Sequence, residues 1–379
     1  MKTNSSIDVL YEGRKVGTLA LTNNRRVAFE YCDEWLENGF AISPFSLPLK
    51  KNVYVAQKEY FKGLHGVFAD SLPDAWGQLL LERLLKTKGI DLDKINILDR
   101  LTIVGESGMG ALTYEPQTDI SKGTMTDDLD DLAESCYRIL NTEYSEKLDE
   151  LYRLGGTSGG ARPKIMTEID GDSWIIKFPA HVDSINIGKM EYEYYLCARE
   201  CGIDMAESRL FTSGKCAGYF GTKRFDRELV EGEVKKIHML TVAAILELDF
   251  EQPSLDYNSL MKLTKILTRD NESDIKNMYR RMCFNVYAHN RDDHSKNFSF
   301  LYREKEKSWR LSPAYDLTFS NTYYGEHTTT VDGNGKDPGL RELLAVGINA
   351  GLNKDWCKKE ALNIEEVVHD MLGEYLYEA

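Results

Sequence analysis

The order of two hydrophobic patterns along the chain limits the folds that it can adopt. Residues 7–12 and 15–30 alternate apolar and polar side chains around turn residues, which predicts strands. Beyond residue 238 this alternation nearly vanishes, and apolar residues of the segment 275–286 recur at helical spacing on one stripe. The sequence therefore predicts an α+β protein whose β-rich first part precedes a mostly helical second part.

Changes of composition divide the chain into three predicted parts. Its 379 residues are enough for two domains or for one two-lobed domain. Residues 117–150 are acidic and partly helical, and a glycine-rich loop follows them. We therefore predict an N-terminal β-rich docking subdomain with an acidic connector at 1–149, a small lobe at 150–235 and a helical large lobe at 236–379.

One helix of the first part has recognisable ends. The segment 70–89 repeats leucines at helical spacing, and Gly89 is suited to end it. Ser71 or Asp74 is suited to cap its start, because short polar side chains accept the first N–H groups of a helix. We therefore predict a capped helix between these residues.

The charge and the cysteine pattern exclude some classes of function. The formal net charge of −14 argues against broad nucleic-acid binding and against attraction to anionic membranes. No apolar run reaches the roughly 18 residues that a membrane helix needs, and the start has no apolar block of the signal-peptide type. The 7 cysteines are scattered and never form a CxxC pair. We therefore expect a cytoplasmic protein with reduced, structural thiols.

A short polar stretch has the strongest chemical signal. The sequence "AHNRDDHSKNFSF" at 288–300 contains Asp292 and Asn297 in the order D-x-x-x-x-N, and Asp316 follows after a predicted hairpin. Phosphoryl transfer uses such a set, in which one carboxylate accepts the proton of the attacking hydroxyl. An Asn and a second carboxylate then bind Mg²⁺ at the phosphates, since Mg²⁺ prefers hard oxygen ligands.

Further parts of a phosphate site precede this stretch. The loop "GGTSGG" at 155–160 can bring the backbone N–H groups of Gly159 and Gly160 close to phosphate, because glycine tolerates the backbone angles required. Lys177 lies on a predicted strand among apolar neighbours, where its charge needs an anionic partner such as phosphate or Glu191 of the next helix. The order of these parts along the chain is that of a protein kinase.

Other interpretations of the same residues stay open. His289, Asp292, Asp293 and His294 form a set that could bind a transition metal, although a helix ends inside it. His294 alone is suited to cap that helix end or to hydrogen-bond the loop. Lys177 also fits an edge strand on which only its stem is buried, and the charged loop also fits a solvated turn.

The sequence resembles the HipA family of serine/threonine kinases, the toxin components of bacterial toxin–antitoxin pairs. The motifs "LPDAWGQLLLERLL" and "VGESGMGALTYEP" resemble the N-terminal subdomain of that family. The motifs "GGARPK", "WIIKFP", "KRFDR", "NRDDHSKNFSFL" and "WRLSPAYDL" resemble its kinase core. The resemblance implies a protein-kinase-like two-lobed fold in which the small lobe binds ATP.

The resemblance also implies a role for each matching residue. Asp292 is the catalytic base, and Asn297 and Asp316 are the Mg²⁺ ligands. The implied ATP-binding residues are Lys177, Glu191, Gly159, Gly160, Lys223 and Phe225. Glu191 is the implied partner of Lys177, for which Glu193 competes. Backbone groups from Lys223 to Phe225 contact adenine, and the Phe225 ring packs on it.

The glycine loop departs from the family pattern. The family regulates itself by autophosphorylation of a serine just before a GA-Q-E-K sequence, where this chain has "TSGGARPK". Thr157 is the residue that the motif alignment favours, and Ser158 stands next to it. We therefore expect autophosphorylation at Thr157 or Ser158.

Together these features predict an ATP- and Mg²⁺-dependent serine/threonine protein kinase of the HipA type. By resemblance, it is a toxin that phosphorylates a translation component, for example an aminoacyl-tRNA synthetase. A helix-turn-helix antitoxin restrains it, and it reaches DNA only through that partner. Two alternatives use the same residues: a small-molecule phosphotransferase, and a nucleotide-binding partner of a DNA-binding repressor that has no enzymatic activity.

Overall fold

The chain folds into two compact units. The computed structural model describes residues 3–91, 94–120, 128–322 and 324–377. The first unit is formed by Met1–Asn186 and Phe211–Glu247, and the second by Ile187–Leu210 and Leu248–Ala379. The three-part division with boundaries after residues 149 and 235 stays a prediction. Residues 121–127 of the predicted acidic connector lie outside the described residues.

Strands and helices are both present in each unit, so the predicted α+β class is confirmed. The strands are β1 (Ser6–Tyr11), β2 (Arg14–Leu21), β3 (Val27–Tyr31), β4 (Val53–Val55), β5 (Leu112–Glu115), β6 (Lys164–Ile169), β7 (Asp172–Lys177), β8 (Ser208–Phe211), β9 (Tyr219–Lys223), β10 (Arg227–Val230), β11 (Glu233–Lys236), β12 (Met239–Thr241), β13 (Leu255–Asp256), β14 (Ser299–Arg303), β15 (Ser308–Leu311) and β16 (Thr329–Thr330). The helices are α1 (Asp33–Asn38), α2 (Gly66–Ala69), α3 (Ala75–Thr87), α4 (Ile97–Val104), α5 (Leu129–Leu140), α6 (Leu148–Gly155), α7 (Ile187–Glu200), α8 (Val242–Leu246), α9 (Tyr257–Thr268), α10 (Glu272–Tyr287), α11 (Leu340–Asn349) and α12 (Lys354–Tyr377). None of the helices in the described part of the chain is long and apolar enough to cross a membrane.

An antiparallel sheet forms the N-terminal part of the first unit, with the strand order β4-β3-β2-β1-β5. Alternate residues of β1, such as Ile7 and Val9, are buried, because successive side chains of a strand point to opposite faces. The strands predicted at 7–12 and 15–30 are confirmed, and the second range forms two strands around a turn.

One hydrophobic cluster joins the N-terminal helices to the next sheet. In that sheet β7 pairs antiparallel with β6 on one side and with β9 on the other. The cluster contains Trp76 and Leu84 of α3, Leu151 of α6, and Trp174 and Ile176 of β7, all almost fully buried. Such large apolar side chains supply most of the burial that stabilises a core. Residues on both sides of position 150 therefore belong to one core.

The second unit is mainly helical. On α10 the predicted apolar stripe is confirmed, because Ile275, Met278, Met282 and Val286 are all buried. The strands that follow residue 238 are short, and β14 and β15 form the hairpin that was predicted before Asp316. This hairpin and the end of α10 flank the polar stretch at 288–300.

Candidate active site

The predicted site residues fall into two groups, one in each compact unit. The first unit contains Thr157, Ser158, Gly159, Gly160, Lys177, Lys223 and Phe225. The second unit contains Glu191, Asp292, Asn297 and Asp316. Each group has its own supporting contacts.

The loop after α10 closes on itself between Asp292 and Asn297. A short 3-10 helix at Ser295–Asn297 leads from this loop into β14. The Nδ2 of Asn297 donates a hydrogen bond of 2.7 Å to the backbone carbonyl of Asp292. The D-x-x-x-x-N spacing thus lets Asn297 fix the backbone of Asp292, while its amide oxygen is left as an acceptor.

The two neighbouring aspartates of this loop have opposite environments. The side chain of Asp292 is 56% exposed, whereas that of Asp293 is fully buried. The Asp293 carboxylate accepts the Tyr257 hydroxyl at 2.9 Å and the backbone N–H of Thr329 at 3.0 Å, and it lies 3.1 Å from Nδ1 of His327. Burial and this carboxylate raise the pKa of Tyr257 well above its usual range, so the hydroxyl stays a donor. These environments suit Asp293 to support the loop and Asp292 to contact a substrate.

His294 takes part in the hydrogen bonding of the loop itself. Its Nδ1 accepts the backbone N–H of Lys296 at 3.2 Å, which confirms the interpretation of His294 as a loop hydrogen-bonding residue. A neutral imidazole that accepts at Nδ1 bears its proton on Nε2, and this atom lies 3.8 Å from Oδ1 of Asp292. Within the described ranges, no group of three or more His, Cys, Asp or Glu side chains is arranged to hold a metal ion. His289, Asp292, Asp293 and His294 therefore do not form the transition-metal site that was considered as an alternative.

Asp316 follows the β14–β15 hairpin in a segment that backbone hydrogen bonds fix. The N–H of Ala314 donates to the carbonyl of Asp204 at 2.7 Å, and the Tyr315 hydroxyl donates to the carbonyl of Lys296 at 2.8 Å. The Tyr315 bond ties the segment of Asp316 to the loop of Asn297. One amide oxygen and one carboxylate fit Mg²⁺, because this ion usually binds one or two carboxylates and completes its shell with phosphate and water oxygens.

Glu191 and Glu193 of α7 differ in their partners. Glu191 is only 3% exposed. Glu193 accepts a hydrogen bond from the hydroxyl of Tyr375 in α12, and its Oε1 lies 3.4 Å from Nζ of Lys189. Glu193 thus has partners on α7 and α12, and Glu191 as the partner of Lys177 stays a prediction.

Lys177, at the end of β7, stands directly opposite Lys164 of β6. Directly opposite residues of an antiparallel pair point to the same face, where like charges repel each other. The Nζ of Lys177 lies 5.5 Å from the centre of the Phe220 ring, and the Nζ of Lys164 donates to the carbonyl of Gly159 at 2.5 Å. Because β7 is paired on both sides, the edge-strand alternative for Lys177 is wrong. Two lysines therefore share one face of this sheet, and Lys164 connects that face to the glycine loop.

The glycine loop is closely packed, and its two hydroxyl groups are buried. Thr157 and Ser158 are 6% and 1% exposed. The Thr157 hydroxyl donates to the carbonyl of Ser107 at 3.1 Å, and the Ser158 hydroxyl donates to the carbonyl of Gly155 at 2.7 Å. Either hydroxyl could accept a phosphate only after the loop has moved away from these carbonyls.

The predicted adenine segment follows β9. The backbone N–H of Arg224 donates to the carbonyl of Ser173 at 2.8 Å, so this residue faces the strand β7. Because successive residues of a strand direct their backbone groups to opposite edges, those of Lys223 face away from β7. The Lys223 side chain forms an ion pair of 2.7 Å with Asp172. The predicted contact of adenine with the backbone of Lys223 would therefore not require that side chain.

A buried ionic cluster ends this segment. Asp226 is fully buried and accepts hydrogen bonds of 2.8 Å from Arg224, from Arg227 and from the N–H of Gly110. Both arginines also donate to the carbonyl of Gly108, at 3.2 and 3.0 Å. Burial alone would raise the pKa of Asp226, but the charges of Arg224 and Arg227 and the hydrogen bonds lower it to about 2. The motif "KRFDR" thus holds the turn "GESGMG" in place.

Two family models cover most of the chain. The model described as the HipA-like C-terminal domain matches residues 156–374, which include both groups of site residues. The model described as the HipA N-terminal domain matches residues 7–115. The chain belongs to the HipA family.

Individual proteins and one solved structure are similar to most of the chain. Two proteins of Sinorhizobium fredii, named "Putative kinase Y4dM" and "Putative kinase Y4mE", are each 25% identical to this chain. Their alignments cover 86% and 84% of this chain and 80% and 78% of theirs. A chain of the Shewanella oneidensis MR-1 toxin–antitoxin complex of HipA, HipB and operator DNA has a TM-score of 0.71 at 18% identity, covering 98% of this chain and 91% of that one. The predicted HipA-like fold is therefore confirmed.

Two contributions to this HipA-family site could not be predicted from the local sequence. Lys164 lies in the quoted motif "GGARPK", but its position opposite Lys177 depends on the register of β6 and β7. Tyr257 contacts Asp293 from 36 residues away, and no local pattern marks it. Both residues became identifiable only when strand register and tertiary packing were known.

The buried Asp226 carboxylate makes the stability of this HipA-family chain depend on pH. Its pKa is lowered from 3.8 to about 2, so its contribution to stability is fully present above pH 4 and is lost as the pH falls through about 2. We predict that Asp226→Asn lowers the free energy of unfolding at pH 7, because it leaves Arg224 and Arg227 uncompensated. The deficit relative to the wild type should shrink by about 2 kcal/mol between pH 5 and pH 2. Chemical unfolding at a series of pH values measures this, and a deficit that does not change with pH would contradict the prediction.

Proposed function

We propose that the protein is an ATP- and Mg²⁺-dependent serine/threonine protein kinase of the HipA type. The observation that carries this proposal is the pair of environments at Asp292 and Asp293. Asn297 fixes the backbone of Asp292, the carboxylate of Asp292 is exposed, and that of Asp293 is buried in hydrogen bonds. A catalytic base needs this combination of a fixed position and an accessible carboxylate.

The proposed chemistry assigns one task to each residue. The hydroxyl oxygen of a serine or threonine attacks the γ-phosphorus of ATP, the bond from that phosphorus to the bridging oxygen breaks, and ADP leaves. Asp292 accepts the proton of the attacking hydroxyl, and Lys177 binds the phosphates. Asn297 and Asp316 would hold Mg²⁺, which when bound neutralises charge on the phosphate oxygens. Glu191 orients Lys177, and the backbone near Lys223 and Phe225 contacts adenine.

We further propose that this kinase acts as a toxin on a translation component, with an aminoacyl-tRNA synthetase as the first substrate to examine. Membership of the HipA family supports the toxin role. The Shewanella oneidensis structure, which contains HipA, HipB and operator DNA, supports a helix-turn-helix antitoxin as the restraining partner. A net charge of −14 disfavours direct DNA binding, so the antitoxin would provide the DNA contact.

Autophosphorylation of the glycine loop should inactivate the protein. A phosphate on Thr157 or Ser158 adds about −1.5 to −2 charges and cannot fit where these hydroxyls now donate to carbonyl oxygens. The loop must then leave its packed position, and the added charge repels ATP. We expect mass spectrometry after incubation with Mg-ATP to find phosphate on Thr157 or Ser158, with ATP binding lost in the modified fraction. A phosphate found only elsewhere, or a modified loop with full activity, would refute this.

Radiolabelled ATP tests the proposed activity directly. The protein is incubated with γ-labelled ATP, Mg²⁺ and a cell lysate, with Asp292→Asn as the inactive control. Labelled protein bands that are absent with Asp292→Asn support a protein kinase. Label that is transferred only to small molecules indicates a small-molecule phosphotransferase, and ATP binding without any transfer indicates a non-enzymatic partner of a repressor.

A further inference from the structure

The first turn of α3 holds the glycine loop at Gly160. Asp74 occupies the N-cap position of α3, but its side chain makes no capping hydrogen bond to that helix. Instead its Oδ2 accepts the backbone N–H of Gly160 at 2.8 Å, 86 residues further along the chain. The backbone N–H of Trp76 donates to the carbonyl of the same glycine at 3.3 Å. Both polar backbone groups of Gly160 are therefore bonded to α3.

The backbone of Gly160 needs such support. Its φ of +85° lies in the region that only glycine adopts readily. Because glycine has no Cβ, its backbone can also adopt many other conformations when nothing holds it. The approach of α3 is close, since a Cβ built on Gly77 would lie 2.7 Å from the carbonyl oxygen of Gly156. The indole of Trp76 also donates to the carbonyl of Lys164 at 3.0 Å. The first turn of α3 thus bonds to Gly160 and Lys164 and lies close to Gly156.

We propose that Asp74 is a positioning residue for the candidate phosphate-binding loop. This inference rests on the proposed function, because it takes the loop to be the one that receives the ATP phosphates. A hydrogen bond from a backbone N–H to a carboxylate is charge-assisted and stronger than a neutral one. It keeps Gly160 in one conformation before ATP arrives, so that binding costs less conformational entropy. Because the N–H of Gly160 is bonded to Asp74, Asp74 acts on ATP by holding the conformation of the loop and not by directing that N–H to phosphate, and it does not itself bind the nucleotide.

The test compares three substitutions at Asp74. Asp74→Ala removes the acceptor, and Asp74→Ser keeps a good helix start but is too short to replace the carboxylate. For both we expect the Kd for Mg-ATP, measured by calorimetry, to rise about tenfold, with kcat at saturating ATP close to that of the wild type. Asp74→Asn keeps an acceptor oxygen and should restore most of the affinity. Asp74→Ser serves as the test if the alanine variant does not fold.

Amide hydrogen exchange gives a second readout that requires no enzymatic activity. In nucleotide-free protein, peptides covering 156–162 should exchange faster in Asp74→Ala and Asp74→Ser than in the wild type. The matched control is Asp128→Ala, because Asp128 is an N-cap of the usual kind, which accepts the N–H groups of Asp130 and Asp131 at 2.9 and 3.2 Å. Its loss should loosen the start of α5 and leave both the Kd for ATP and the exchange of 156–162 unchanged.

The possible outcomes separate this inference from the proposed function. If the wild type binds ATP and the Asp74 variants bind it equally well with unchanged exchange, the inference is overturned and the proposed function stands. Tighter ATP binding by Asp74→Ala also overturns it, because Asp74 would then compete with phosphate for the N–H of Gly160. If the wild type binds no ATP, the proposed function fails, and exchange at 156–162 still decides whether Asp74 positions the loop.

Discussion

Replacing Asp292 by Asn should lower kcat by about 10²–10⁴-fold while the affinity for ATP changes little. The side chain loses its basicity but keeps its shape. The hydrogen bond from Asn297 goes to the backbone carbonyl of residue 292, so the substitution leaves the loop closed. The predicted Mg²⁺ ligands are also unchanged. Steady-state kinetics and ATP binding, measured on the same preparation, check both parts of this prediction.

Asp293→Asn is the matched control, because it makes the same chemical change at the next position. Asp293 is fully buried and accepts hydrogen bonds from Tyr257 and Thr329, so the substitution should reduce the free energy of unfolding by about 1–3 kcal/mol. At temperatures well below unfolding, its turnover should fall much less than that of Asp292→Asn. An inactive Asp293→Asn beside a normally active Asp292→Asn would mean that the kinase motif is aligned wrongly by one residue.

Replacing Lys177 by Met should lower kcat/KM for ATP by about 10²–10³-fold, as the loss of a charged group at the transferred phosphate commonly does. Methionine keeps the length and the apolar stem of the side chain and loses only the charged nitrogen, which lies 5.5 Å from the centre of the Phe220 ring, so the fold should be retained. The charge of Lys164, directly opposite on β6, remains and should preserve part of the ATP affinity. Thermal unfolding confirms that the variant is folded, and calorimetry with ATP separates binding from turnover.

Lys215→Met provides the control for the loss of one lysine from the first unit. Lys215 forms an ion pair of 2.6 Å with Glu134 at the surface, and exposed pairs of this kind contribute little to stability. Its replacement should therefore change neither ATP binding nor turnover. Equal activities of folded Lys177→Met and Lys215→Met would remove Lys177 from the phosphate site.

The parts of the candidate site that the sequence predicted are those defined by local spacing. Asp292 and Asn297 are five positions apart, a spacing that one tight loop can close. The side-chain amide of Asn297 donates a hydrogen bond to the backbone carbonyl of Asp292. The fold class was predictable for the same reason, because strand alternation and helical stripes are local patterns. The apolar stripe of α10 needed no tertiary information to be recognised.

The parts that the sequence could not predict depend on contacts between distant segments. The sequence marked Asp74 as a possible cap of α3, and the residue does occupy the N-cap position, but its carboxylate bonds to Gly160 instead of to the helix. A local pattern cannot distinguish these uses, since a carboxylate at a helix start suits both. The contact of Glu193 with Tyr375 likewise follows from tertiary packing, because the two residues are 182 positions apart.

The bonds from α3 to Gly160 have a thermodynamic consequence for regulation. If a partner protein binds the first unit better when Gly160 is held, then that partner and ATP must strengthen each other's binding by the same factor. A coupling of tenfold corresponds to about 1.4 kcal/mol, which is within the range of one charge-assisted hydrogen bond. The concentration of ATP in the cell would then change the affinity for that partner, so that depletion of nucleotide would weaken the complex.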